Sequence, residues 1–230
     1  MPFHSILDDP DKRLVIWSDT DFANWRSTGV AKEPWTYEWL SDFDESVSLY
    51  NIGACVGTYS LMAAARGADV CAFEPLPVNT EALQRNISLN DLQDKITIFS
   101  VALGSQVEMK PFYLSEGLGT VAGYGFLSLK PRQSLNASIR VPVFPLDLIA
   151  KAAPRLPTHM LIDVEGAELE VLKGAEDLIF RSPIESMLIE VQSDTESEVI
   201  SFMEHQDFRT DQVYTDHQTV HYLRFEKVDR

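Results

Sequence analysis

Two glycines, Gly53 and Gly57, follow the apolar run Val47–Ile52 and precede the helix formers Thr58–Arg66. A turn of this kind lets the backbone approach a ligand with no side chain intervening. The helix start at Thr58 adds N–H groups that lack intrahelical partners. Glu74 closes the next apolar run, Asp69–Phe73, beside Pro75. A carboxylate about 20 residues beyond a glycine turn is placed to accept hydrogen bonds from ribose hydroxyls. A second concentration of acid is Asp163, Glu165 and Glu168, at one strand-to-helix junction. Asp163 and Glu165 sit at the carboxyl edge and are candidates for a general base. Glu168 begins the helix, where a negative charge complements the helix dipole. Spacing alone does not separate a divalent-cation site from a shared hydrogen-bond network, and no metal site is expected.

The turn also selects among nucleoside cofactors. Dinucleotide sites use G-x-G-x-x-G, the middle glycine admitting the pyrophosphate. Cys55 stands there, so a phosphate-free nucleoside is favoured, and S-adenosylmethionine ranks above a nicotinamide. A nicotinamide-dependent oxidoreductase and a non-catalytic nucleoside-binding module are the alternatives.

These residues need a scaffold. Strand-like runs at Val47–Ile52, Asp69–Phe73, Ile96–Val101, His159–Asp163 and Met187–Val191 alternate with helical runs at Thr58–Arg66, Val78–Leu89 and Glu165–Phe180. Such alternation implies right-handed βαβ units and a parallel sheet covered on both faces. Ser193 and Glu196 have the spacing of a capping box before a further helix, and Thr210–Tyr214 with Thr219–Phe225 reads as a C-terminal antiparallel hairpin. The expected organisation is an N-terminal extension over 1–46 and a catalytic domain over 47–230. The latter carries a glycine-rich insertion at about 104–145, read as a hairpin over the carboxyl edge of the sheet.

Composition narrows the class. The 230 residues are 45% hydrophobic and 23% charged, enough to bury a core without staples. No run of about 20 apolar residues would cross a bilayer, and no signal peptide is read at the N-terminus. The net charge of −16 repels phosphate backbones, so nucleic acid is not expected as a partner. Lys130, Arg132 and Arg140 read as a solvated surface. Cys55 and Cys71 have no metal-ligand or CxxC spacing and read as apolar fillers in a reducing, cytoplasmic setting. The five histidines are scattered, and none stands out as a base.

Several short motifs occur in one ordered series: Asn51–Gly57, Phe73-Glu74-Pro75, Asn86–Asn90, Val101–Gly104, Leu146-Asp147, Ile162–Glu168 and Val171–Ala175. From about Val47 to Val191 the chain closely resembles the FkbM family of class I methyltransferases, and Ile162–Glu168 is the most specific piece. The resemblance implies a Rossmann-like, mostly parallel seven-stranded sheet, S-adenosylmethionine as donor, and methylation of a hydroxyl on a small or sugar-like acceptor. It implies that Gly53, Ala54 and Gly57, with Asn51 and Thr58 flanking them, line the methionine part of the donor. Glu74, with Pro75, would hold the ribose, Val101 and Ala102 would flank the adenine, and Asp163 would point into the site. Family members often carry Glu-Pro where this chain has Glu33-Pro34, which suggests a lid. Two positions depart from the family: Asn51 replaces the usual Asp, and Leu161 replaces a common Lys. An amide adds no negative charge near a cationic donor, so the family's usual affinity is in question here. Methyl transfer needs the acceptor atom held in line at roughly 3 Å, so positioning supplies much of the rate.

Overall fold

The computed structural model describes residues 4–17, 27–115, 135–164, 166–217 and 219–228. The N-terminal segment holds β1 (His4–Ile6), β2 (Val15–Trp17), α1 (Gly29–Lys32) and α2 (Pro34–Ser41). Then come β3 (Ser48–Ile52), α3 (Thr58–Ala65), β4 (Asp69–Phe73), α4 (Pro77–Leu89) and β5 (Ile96–Phe99). A side unit follows: β6 (Ala102–Leu103), β7 (Glu108–Ser115), β8 (Leu135–Phe144) and α5 (Leu146–Ile149). The chain continues with β9 (His159–Ile162), α6 (Glu168–Lys173), α7 (Glu176–Arg181) and β10 (Ser186–Gln192). It closes with α8 (Glu196–His205), β11 (Phe208–His217) and β12 (Val220–Lys227). Among the described residues no helix is long and apolar enough to cross a membrane.

The main sheet has seven strands in the order β11-β12-β10-β9-β3-β4-β5. From β5 to β10 the neighbours pair parallel, while β12 pairs antiparallel with both β10 and β11. The chain steps from β3 to β4 and β5 on one side, then crosses back to β9 and β10 on the other. Strand order therefore reverses at β3, and the crevice beyond its carboxyl end is where such sheets take ligands. This is the expected Rossmann-like α/β fold, with its C-terminal antiparallel hairpin.

Side-chain alternation assigns the two faces. Leu49, Leu161 and Leu188 pack with Trp39 and Leu40 of α2, Leu61 and Met62 of α3, and Leu83 and Ile87 of α4. Tyr50, Ile52, Met160, Ile162 and Ile189 pack on the other face with Val171, Leu172, Leu178, Ile179, Val199 and Met203 of α6, α7 and α8. Strands buried on both faces read as unbroken apolar runs, which is why β3, β9 and β10 were legible. Each fully buried aliphatic side chain contributes roughly 1.5–3 kcal/mol, and together they set the register. That register aligns Ile52, Ile162, Ile189 and Leu223 across four strands.

Three local expectations are corrected. The strand expected over Ile96–Val101 ends at Phe99. There the Val101 N–H turns back to the Phe99 carbonyl, and Ala102 leaves to pair with Val143 in the side sheet. The helix expected over Glu165–Phe180 is two helices, α6 and α7, with Gly174-Ala175 between them. A Cβ on Gly174 would lie 2.0 Å from the Gly104 carbonyl oxygen, so the chains touch there backbone to backbone. Asp147 supplies the cap that α7 lacks, accepting the Leu178 N–H at 2.8 Å and the Asp177 N–H at 3.2 Å. The capping box at α8 does not form. Ser193 Oγ donates to the Thr219 carbonyl instead, and Glu196 faces the His221 ring at 2.7 Å.

In the side sheet β7 and β8 pair antiparallel. Phe112, Val141 and Val143 pack against Leu76 and Ala167, residues just past the carboxyl ends of β4 and β9. The N-terminal segment is bound by side-chain amides of α4: Asn86 Oδ1 accepts the Trp17 N–H, and Asn90 bonds both backbone groups of Val15. The buried Arg66–Asp9 ion pair, 2.6 Å apart, adds a second tether to α3.

Candidate active site

The glycine turn is held by its neighbours. The N–H groups of Gly53 and Ala54 both donate to the Phe73 carbonyl, at 2.9 and 3.0 Å, which extends the β3–β4 ladder one step into the turn. Gly53, Cys55 and Gly57 have φ of 87°, 52° and 95°, the left-handed region. At Gly53 a side chain is also sterically excluded, since a Cβ would lie 1.8 Å from the Asp163 carbonyl oxygen. The glycine thus lets the ends of β3 and β9 meet.

Glu74 is only 4% exposed and is gripped on both oxygens. Oε2 accepts the Cys55 N–H at 2.9 Å, while Oε1 accepts the Leu76 N–H at 2.8 Å and Asn79 Nδ2 at 3.2 Å. The carboxylate therefore bridges the glycine turn and the start of α4. A fixed carboxylate beside a glycine turn is an acceptor that suits the hydroxyls of a ribose. Asn79 was not singled out in the sequence; an amide in the first turn of a helix reads as ordinary solvation until the fold closes over it.

The other expected donor residues lie as follows. Ala54 is buried, Pro75 is half-buried, and Thr58 opens α3, buried beneath Gly29. Val101 is half-buried at the exit from β5, and Ala102 packs with the side sheet. Asn51 is 2% exposed, and its Nδ2 donates to Ser60 Oγ at 2.8 Å, so the amide is engaged by α3. Its cross-strand partner is Leu161. The two positions at which this chain departs from the family pattern are therefore cross-strand neighbours, and both side chains are uncharged.

At the carboxyl edge the alternation that buries Leu161 and Leu188 on the α2–α3 face sends Asp163 and Glu190 to the same side. Tyr222 lies opposite Glu190 and donates its hydroxyl to Glu190 Oε2 at 2.7 Å. Burial is the main cause raising the Tyr222 phenol above its ordinary pKa; the charges of Asp163, Glu33 and Glu190 add to it. Glu33, 1% exposed, comes from the junction of α1 and α2 and accepts the Tyr59 hydroxyl at 2.6 Å and Lys32 Nζ at 3.1 Å. Trp35 stacks on Tyr214 with ring centroids 5.5 Å apart and tilts against Tyr222 at 5.2 Å. Residues from β9, β10, β12, α3 and the N-terminal segment thus converge on one place. Of these groups the sequence had marked Asp163 and the Glu33-Pro34 step; Glu190 and Tyr222 carry no local signal, since each looks like one polar residue in an apolar strand.

Glu165 lies outside the described residues, as do Lys130 and Arg132. Glu168 is 1% exposed, and its carboxyl is pushed up to about 7, first by burial, with the Asp163 charge adding to it. Its Oε1 accepts the Gly166 N–H at 2.7 Å, so it holds its own turn. Cys71 is buried mid-strand with its thiol pushed up to about 12, and neither Cys55 nor Cys71 forms a disulfide. His159 is lowered to about 4, chiefly by burial, and packs against Trp39 and Phe43. Neither group is set up for chemistry.

A strand-order reversal with a glycine turn and a strand-end carboxylate defines a nucleoside-binding crevice, and the seven-stranded sheet closed by an antiparallel C-terminal hairpin is the class I methyltransferase architecture. The model of the methyltransferase FkbM domain matches residues 51–210, so the chain belongs to that family. No curated protein matches the chain. Among solved structures, the methyltransferase FkbM from Methylobacillus flagellatus is 20% identical with a TM-score of 0.54. The match covers 80% of this chain and 44% of that one, so this chain spans less than half of that protein. The tRNA m1G37 methyltransferase of M. jannaschii is 13% identical with a TM-score of 0.54, over 99% of this chain and 58% of that one. A complex of aTrm5 with tRNALeu gives 13% and 0.55, over 98% and 53%. At these identities the likeness is one of fold.

The last two structures correct the expectation that nucleic acid is excluded. The same architecture serves enzymes of tRNA, and a net charge of −16 is a property of the whole surface. It does not set the field at one edge of the sheet, where local groups dominate within a screening length of about 8–10 Å.

Proposed function

We propose that this chain transfers a methyl group from S-adenosylmethionine to a hydroxyl oxygen of a small, hydroxyl-rich or sugar-like acceptor. The observation that carries the acceptor reading is the polar row Asp163, Glu190 and Tyr222, faced by Glu33 from the N-terminal segment. Carboxylates accept hydrogen bonds from several hydroxyls at once, and a phenol both donates and accepts.

The donor, when bound, supplies a methyl group activated on a sulfonium. Glu74 would hold its ribose and the Gly53–Gly57 turn its methionine part. Asp163, next to Gly53 at the crevice, would accept the acceptor hydroxyl's proton as the new O–C bond forms. Glu190 and Tyr222 would orient the acceptor, and the Glu33 segment would exclude water. Two cysteines outside any disulfide suit a reducing, cytoplasmic setting.

The test uses a labelled donor with a panel of hydroxylated metabolites and, in parallel, a set of tRNA transcripts. Asp163→Asn is expected to abolish turnover while leaving donor affinity by calorimetry intact. Retained turnover in that variant would remove Asp163 as the base. Label entering RNA but none of the small acceptors would overturn the acceptor class.

A further inference from the structure

Glu74 is not simply a strand-end acid, because the fold orients it from three directions. Oε2 meets the N–H of Cys55, the non-glycine residue of the turn with φ of 52°. Oε1 meets the N–H of Leu76 and the side chain of Asn79. Of these three donors two are backbone groups, which no substitution removes. Asn79 is the side-chain donor; it is 4% exposed and sits in the first turn of α4. A carboxylate gripped on one oxygen by α4 and on the other by the turn has one rotamer, so its position is set before any ligand arrives. Fixing an acceptor in advance removes the ordering cost that a mobile carboxylate would carry on binding.

We propose that Asn79 is a positioning residue for the donor's ribose, acting through Glu74. This rests on the reading that Glu74 takes the ribose hydroxyls. The same bonds tie ribose recognition to the shape of the glycine turn, because the carboxylate that receives the hydroxyls also holds the Cys55 N–H in its left-handed conformation. Asn79 thereby links α4 to both halves of the donor site. A helix-capping role alone would make Asn79 matter for stability and not for which ligand is bound.

Two ligands separate these roles: S-adenosylhomocysteine and its 2′,3′-dideoxy analogue, each titrated by calorimetry into the full chain. Asn79→Ala is expected to weaken S-adenosylhomocysteine about fivefold, the scale of one hydrogen bond, and to change the dideoxy analogue less than about 1.5-fold. Asn79→Asp sets a second carboxylate against Glu74 Oε1 and is expected to weaken the hydroxylated ligand at least as much. Equal losses for both ligands, or wild-type affinity in both variants, would overturn the inference. Glu74→Ala tests the underlying reading separately. If that variant binds the hydroxylated ligand like wild type, the ribose does not sit on Glu74; if it fails to discriminate while Asn79→Ala has no effect, only the positioning role falls.

Discussion

Replacing Gly53 by alanine should be among the most costly single-methyl changes in this chain, and the structure allows the cost to be divided. The φ of 87° at Gly53 lies in a region that costs an L-residue roughly 1–2 kcal/mol. The added Cβ would also stand 1.8 Å from the Asp163 carbonyl oxygen and 2.8 Å from its carbonyl carbon, both backbone atoms that cannot rotate away. Relief requires the ends of β3 and β9 to part, an overpacking cost of about 1–3 kcal/mol. Gly166 provides the control, because its φ is 97° yet nothing lies within 4 Å of its Cβ position, so Gly166→Ala carries the conformational part alone. Gly57→Ala lies between them, since its 2.3 Å neighbour is Cδ1 of Leu83, a side-chain end able to shift. The expected order of urea midpoints is therefore Gly166→Ala above Gly57→Ala above Gly53→Ala. For an m-value of about 3 kcal/mol/M the last falls below wild type by roughly 1 M. Donor affinity should follow for Gly53→Ala, because parting β3 from β9 displaces the crevice. Gly53→Ala and Gly166→Ala with stabilities within about 0.5 kcal/mol of each other would refute the close-approach argument.

Two other predictions concern the acids at the carboxyl edge. Glu168 titrates near 7 when folded against an ordinary 4.5, so between these values the native state binds more protons than the unfolded chain. Its contribution is fully present below about pH 4.5 and is lost as pH rises through 7, on the order of 3 kcal/mol. Urea midpoints at pH 5 and pH 8 should differ accordingly and converge in Glu168→Gln; an unchanged difference in that variant would place the effect elsewhere. Tyr222→Phe removes the donor to Glu190 in a buried site and should destabilise the chain by about 1.5–3 kcal/mol, the range for a hydrogen bond to a charged group. A loss under about 0.3 kcal/mol in chemical denaturation would show that this bond contributes little.

Local chemistry was sufficient for the elements themselves. Apolar runs of strand length, helix formers between them and glycines at the turns do not depend on distant partners, so β3, β4 and α4 could be read within a residue or so of their observed ends. The motif series pointed to the family whose model matches residues 51–210. What failed locally was anything decided by a neighbour from elsewhere in the chain. The break between α6 and α7 depends on Gly104, which is far away in sequence, and α7 is capped by Asp147. The Ser193–Glu196 spacing was right for a capping box, yet Ser193 found a better partner in the Thr219 carbonyl.

The same division runs through the site. Gly53, Gly57, Glu74 and Asp163 stood out because a turn, a strand end and a carboxylate each carry their signal in a few adjacent residues. Glu190, Tyr222, Tyr59 and Asn79 joined the candidate site only when the sheet register and helix packing set them beside it. A hydrogen bond such as Tyr222 to Glu190 spans 32 positions of chain, and no local pattern encodes it. Asn51 shows both sides of the matter. Its identity was plain in the sequence as a missing acid, but its meaning came from the register that sets it beside Leu161. Side-chain charge is a property of one residue; whether that charge is missed depends on which residue lies across the strand, and only the tertiary structure decides that.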